Sequence, residues 1–161
     1  MDIGKFVEEF DQSQAKDRVV KKHIVTNYIS YEVKISEANK IIKHSFYTDV
    51  DGEETYLANS PVRYILFMMA VIRSYTDLEF DNTNAMIQFD LLESRGIIEM
   101  IIELIGQDYE RFQTVLNMTI DDLMSNERSL VSYFDRKLTA LGKTISELAT
   151  QLEAQQAAAS E

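Results

Sequence analysis

The side chains able to do chemistry are few in this chain of 161 residues, and they are scattered. There is no cysteine, which removes thiolate nucleophiles, disulfides, zinc thiolate sites and iron–sulfur clusters. The two histidines, His23 and His44, lie far apart in sequence, so a metal held by them would need carboxylates from elsewhere. Asp49, Asp51 and Gly52 fall at the third, fifth and sixth positions of a calcium loop. Tyr47 and Ala58, however, stand where the first ligand and the closing bidentate glutamate are required. The sequence contains no glycine-rich phosphate loop, no G-x-S-x-G and no H-x-x-x-H. Glu99 and Glu103 lie one turn apart on one helix reading, as do Asp17 and Lys21, but such spacings are ordinary on helix surfaces. The residues therefore point away from an enzyme and imply neither cofactor nor metal.

Charge narrows the class of partner. The net charge is −11. Residues 1–50 hold eight Lys/Arg and eight Asp/Glu, whereas residues 51–161 hold eight and nineteen, so the second part accounts for all of the excess. Affinity for a nucleic-acid duplex comes from cations that neutralise phosphates, and direct nucleic-acid binding is not expected. The stretch 16–43 is the one basic segment, with seven Lys/Arg against three acids. It reads as the solvated face of two helices, pairing with the acidic part of the same chain or of a neighbour. The acidity itself reads as a solubility device or as a surface for a basic partner. The longest apolar run, Tyr64–Ile72, is nine residues, well short of the ~20 needed to span a bilayer. The start of the chain carries acids where a signal peptide needs an apolar region, so a soluble, cytoplasmic protein is expected, with no membrane partner.

The elements that position these residues are helical. Ile3, Phe6, Val7 and Phe10 recur at helical spacing over residues 2–13, with Asp2 as cap. A second piece at 15–24 turns Val19, Val20 and Ile24 inward and Lys16, Arg18, Lys21, Lys22 and His23 outward. Residues 25–30 are β-branched and read as extended. A helix from Ser30 or Tyr31 to about His44 has Val33, Ile35, Ala38, Ile41 and Ile42 as its apolar face. Around Asp51-Gly52, aromatic and β-branched residues alternate with polar ones, predicting a small hairpin at about 46–57. Ser60 as cap and Pro61 in the first turn open a helix to about Tyr75. It has little room for a polar face and is expected to be the most buried. Leu78 and Phe80 pack down from a polar connection. A helix follows from 84 to about Ser94, then Ile97–Ile105 bracketed by Gly96 and Gly106.

The longest uninterrupted helical reading is 108–155, with Asp108 near its positive end. Its first half buries Tyr109, Phe112, Leu116, Ile120 and Leu123. From Val131 the apolar residues fall at alternating gaps of three and four: Val131, Phe134, Leu138, Leu141, Ile145, Leu148 and Leu152. That is an a/d seam, the pattern by which one helix buries a narrow stripe against another. The expected architecture is a mainly α helical bundle with one small hairpin and a long C-terminal helix. Residues 1–126 form the core domain. Residues 127–161 form a helical extension, either part of the same domain or an interface.

Three segments carry a resemblance: 21–32 (KKHIVTNYISYE), 64–67 (YILF) and 126–134 (NERSLVSYF). They resemble small proteins of tailed phages and prophages of Gram-positive bacteria whose genes lie among the virion-structure genes. The resemblance spans most of residues 1–150, and its motifs are not catalytic. It implies a phage protein of virion structure or assembly, present in the host cytoplasm when made and in the virion if structural. The partners would then be itself or other virion proteins, most simply as a homo-oligomer through the seam. An alternative from the charge is an acidic anti-defence inhibitor that occupies a basic nucleic-acid channel of a host enzyme. It would present Asp77, Glu79, Asp81, Asp121 and Asp122 on one face.

Overall fold

The computed structural model describes residues 1–50, 53–56, 58–126, 130, 131, 134, 138 and 139, with residues 47–50 and 53–56 described by their backbone alone. The chain forms two compact units, Met1–Ile120 and Asp121–Glu161.

The first unit is built from six helices, α1 (Ile3–Gln12), α2 (Lys16–His23), α3 (Tyr31–Phe46), α4 (Ser60–Tyr75), α5 (Ala85–Glu93) and α6 (Ile97–Ile105), followed by helical residues 107–120. Between α3 and α4, β1 (Tyr47–Val50) and β2 (Glu53–Tyr56) pair antiparallel, with Tyr47 opposite Tyr56 and Val50 opposite Glu53. The mainly helical character agrees with the sequence pattern.

Local chemistry explains the boundaries. The Asp2 carboxylate accepts from the Lys5 N–H at 3.1 Å and caps α1. Such a cap satisfies a backbone donor that the helix leaves orphaned. The start of α4 corrects the sequence reading. Asn59, not Ser60, is the cap, its side chain accepting from the Val62 N–H at 3.1 Å, and Ser60 is already helical. Gly96 (φ 66°) and Gly106 (φ 65°) take the left-handed half of backbone space on either side of α6. Residues with a Cβ rarely go there.

Buried faces of the helices converge on one core. Phe6 and Phe10 enter from α1, Ala38, Ile41, Ile42 and Phe46 from α3, and Phe67 through Ile72 from α4. Ile97, Ile98, Ile101 and Ile105 enter from α6. Phe112, fully buried, meets Phe67 edge-on at 5.1 Å, with the rings at 68°. The polar connection after α4 is stitched from two sides. The Glu79 N–H donates to the Met1 carbonyl at 2.9 Å. The Val25 N–H donates to the Tyr75 carbonyl at 2.9 Å, and the Asp77 N–H to the His23 carbonyl at 3.1 Å. These bonds hold Leu78 and Phe80 in the core, where the sequence pattern puts them.

Two apolar assignments on α3 are corrected. Val33 and Ile35 are exposed, and Lys34 lies between them with no exposure at all. The inward face runs Lys34, Ala38, Ile41, Ser45, at helical spacing. A lysine occupies an apolar register because its ammonium finds a carboxylate across the core.

In the second unit, residues 121–126 are helical, as are the described positions 130, 131, 134, 138 and 139.

Candidate functional site

Two polar clusters and one apolar strip are the features from which a function can be argued. The first cluster lies where α3, α4 and the helix from residue 107 meet. Lys34 Nζ donates to both Asp108 oxygens, at 3.0 and 2.9 Å, and to the Ile29 carbonyl. Asp108 Oδ2 also accepts from the Ile29 N–H at 3.0 Å and from the Tyr75 hydroxyl at 2.8 Å. Burial opposes the charge on Asp108. The Ile29 N–H, the Lys34 ammonium and the Tyr75 hydroxyl outweigh that cost and hold its carboxyl below the usual carboxylate range. Burial pushes the Tyr75 phenol far up, and its bond to the charged Asp108 adds to the shift. Tyr28 and Tyr31 lie over the ammonium, with ring centroids 4.7 and 5.1 Å away.

This arrangement ties α3, α4 and the helix from residue 107 together. The three ammonium protons of Lys34 have three oxygen acceptors, so the amine offers no free lone pair to a substrate. Neither Lys34 nor Asp108 lines the ~550 Å³ cleft at Met1, Arg73 and Asn82, the ~340 Å³ cleft at Lys21 and Leu104, or the ~160 Å³ cleft between α3 and α4. Sequence reasoning placed Lys34 in a solvated basic segment and Asp108 at a helix start. The usable signal was Lys34 in phase with Ala38 and Ile41.

The second cluster joins α1, α2 and the connection after α4. His23, expected on the outer side of α2, is buried instead. Its Nδ1 lies 2.8 Å from Asp77 Oδ1 and its ring stands edge-on to Phe6 at 5.2 Å. Nε2 is buried with no hydrogen-bond partner, and Glu9 Oε2 is 3.9 Å away. Glu9 also pairs with Lys22 at 2.9 Å, which holds its carboxyl below the usual range. His44 lines the cleft between α3 and α4, so the two histidines belong to different places. Among the described residues, no group of three His, Asp or Glu could hold a metal ion, and no helix is long and apolar enough to cross a membrane. Asp49 lies in β1; Asp51 and Gly52 lie outside the described residues.

The apolar strip is the seam. Val131, Phe134 and Leu138 are helical and 60%, 60% and 65% exposed, and Leu130 beside them is 53% exposed. Leu141, Ile145, Leu148 and Leu152 lie outside the described residues. The acids at 77, 79 and 81 are exposed on the connection after α4. Two of them already serve the fold. Asp77 holds His23, and Asp81 accepts from the Thr83 N–H at 3.0 Å and from Asn84 Nδ2 at 2.9 Å.

The chain matches no family model, and no curated protein or solved structure matches it.

Proposed function

We propose that this chain is a non-enzymatic subunit of a tailed-phage virion or of its assembly, working through protein–protein contacts in a multimer. The observation that supports the reading is the strip Leu130, Val131, Phe134 and Leu138, four large apolar side chains each more than half exposed in a single copy. Fully burying such a side chain gains about 1.5–3 kcal/mol. Contiguous apolar surface on a soluble protein marks an interaction site. The a/d gaps fit a helical partner, and the simplest one is a second copy. The resemblance of segments 21–32, 64–67 and 126–134 to small phage proteins whose genes lie among the virion-structure genes would fit the same reading. The rival reading, an acidic inhibitor of a nucleic-acid enzyme, rests on Asp77, Glu79, Asp81, Asp121 and Asp122, of which Asp77 and Asp81 are engaged in holding the fold. It is the weaker of the two.

Light scattering on the full chain tests the proposal. The wild type is expected to be a multimer, and Leu138→Asp or Leu141→Asp to lower its mass while the helical circular-dichroism signal is kept. A wild type and a Leu138→Asp variant that are both monomers of equal mass would sink the self-assembly reading.

A further inference from the structure

The unit Met1–Ile120 carries a cleft and a helix face of opposite character, both on its surface. The cleft lies between α3 and α4 and has a volume of about 160 Å³. Its floor is Ile41, Leu66, Met69 and Ala70, and its rim holds Glu37, Lys40, His44 and Arg73. Lys40 is partly neutralised by Glu37 at 2.6 Å, and the Arg73 guanidinium stands over the Phe80 ring at 5.4 Å. The volume is comparable to that of one large side chain, and half of the lining residues are apolar.

The helix face is on α5. This helix buries Gln88, Phe89 and Leu92 and leaves Met86 and Ile87 53% and 62% exposed. Asp90, also exposed, stands one turn on from both, at the i,i+3 and i,i+4 spacings that share a helix face. The segment 77–110 around it holds nine acids and one basic residue, Arg95. The face thus offers an apolar side chain beside a carboxylate, and the cleft offers an apolar floor beside a guanidinium.

We propose that α5 of one copy docks in the α3/α4 cleft of a second copy, with Ile87 entering the cleft and Asp90 meeting Arg73. Knob and cleft are different surfaces of the same chain, so the contact is head-to-tail and generates a ring where the rotation closes and a filament where it does not. The inference deepens the assembly reading by adding a contact independent of the seam, and it rests on that reading for its biological sense.

The test uses the full chain with the seam disabled by Leu138→Asp, followed by sedimentation velocity over a concentration series. Association that persists in this background is expected to be lost with Ile87→Asp, with Arg73→Glu and with Asp90→Arg. Mixing the Arg73→Glu and Asp90→Arg copies should restore it, because both junctions of the alternating assembly are then charge-matched. Ile87, Asp90 and Arg73 are exposed, so each variant should keep the wild-type circular-dichroism spectrum. A Leu138→Asp chain that stays monomeric throughout, or charge reversals that leave association unchanged, overturns the head-to-tail contact. Failure of the seam reads out separately, as an unchanged mass on Leu138→Asp alone.

Discussion

Removing the Asp108 carboxylate leaves the buried Lys34 ammonium with the Ile29 carbonyl as its one hydrogen-bond acceptor, beside the Tyr28 and Tyr31 rings. It also strips the Ile29 N–H and the Tyr75 hydroxyl of their acceptor. Breaking a buried pair from one side costs about 3–5 kcal/mol, and that is the expected loss for Asp108→Ala in urea unfolding. Lys34→Met should cost less, because Asp108 keeps two donors; the reverse order would show that the lysine, not the carboxylate, organises the cluster. The same residue sets a pH dependence. The folded-state pKa of Asp108 lies below its unfolded value, so between the two the unfolded chain binds more protons and stability rises with pH. The contribution is fully present above the unfolded carboxyl value of about 3.9 and is lost as pH falls through the folded value. Unfolding midpoints measured down through this acid range should fall less steeply for Asp108→Asn than for the wild type.

At the scale of elements, the two glycines around α6 make different demands. Gly96 has φ 66° and ψ 21°, ordinary left-handed helical geometry. Alanine there should cost about 1–2 kcal/mol, and asparagine less. Gly106 has φ 65° and ψ −132°, close to a region that only glycine populates, where a side-chain residue costs of order 1–3 kcal/mol. A Cβ on Gly106 would meet nothing within 4 Å, so its cost is backbone strain alone. Thermal melts of Gly96→Asn and Gly106→Asn should therefore separate, with the second lower; coincident melts would refute the assignment. The cap of α4 gives a further check. Asn59→Ala should cost about 1 kcal/mol, whereas Ser60→Ala, one residue inside the helix, should change stability little.

For the whole molecule, the proposed seam and the proposed head-to-tail contact respond oppositely to salt. The seam is apolar, and excluded salts such as sulfate strengthen apolar burial. The Asp90–Arg73 pairing is exposed charge, screened over a Debye length of about 8 Å at physiological ionic strength. Light scattering in sodium sulfate and in sodium chloride should show the Leu138→Asp chain dissociating as chloride rises. The Ile87→Asp chain should stay associated or associate further in sulfate. Identical salt responses would mean that one contact accounts for all the association.

Patterns of local period and local chemistry were readable from the sequence alone. The helical spacing of Ile3, Phe6, Val7 and Phe10 marked α1 and its buried face, and Asp2 marked its cap. The uninterrupted apolar run of α4 marked a buried helix, and Gly96 and Gly106 delimited α6. Each depends on neighbours within a turn or two, so the one-dimensional record contains it. The seam's spacing was equally legible, although exposure is described for only three of its positions, Val131, Phe134 and Leu138. Tertiary structure decided the rest. Lys34 is buried because Asp108 lies across the core, 74 residues on, and that partner rotates α3 so that Val33 and Ile35 face water. His23 turns inward because Asp77, 54 residues away, meets its Nδ1. A polar group's burial depends on whether a distant partner offsets its desolvation, and no local pattern in the sequence records which partner that is.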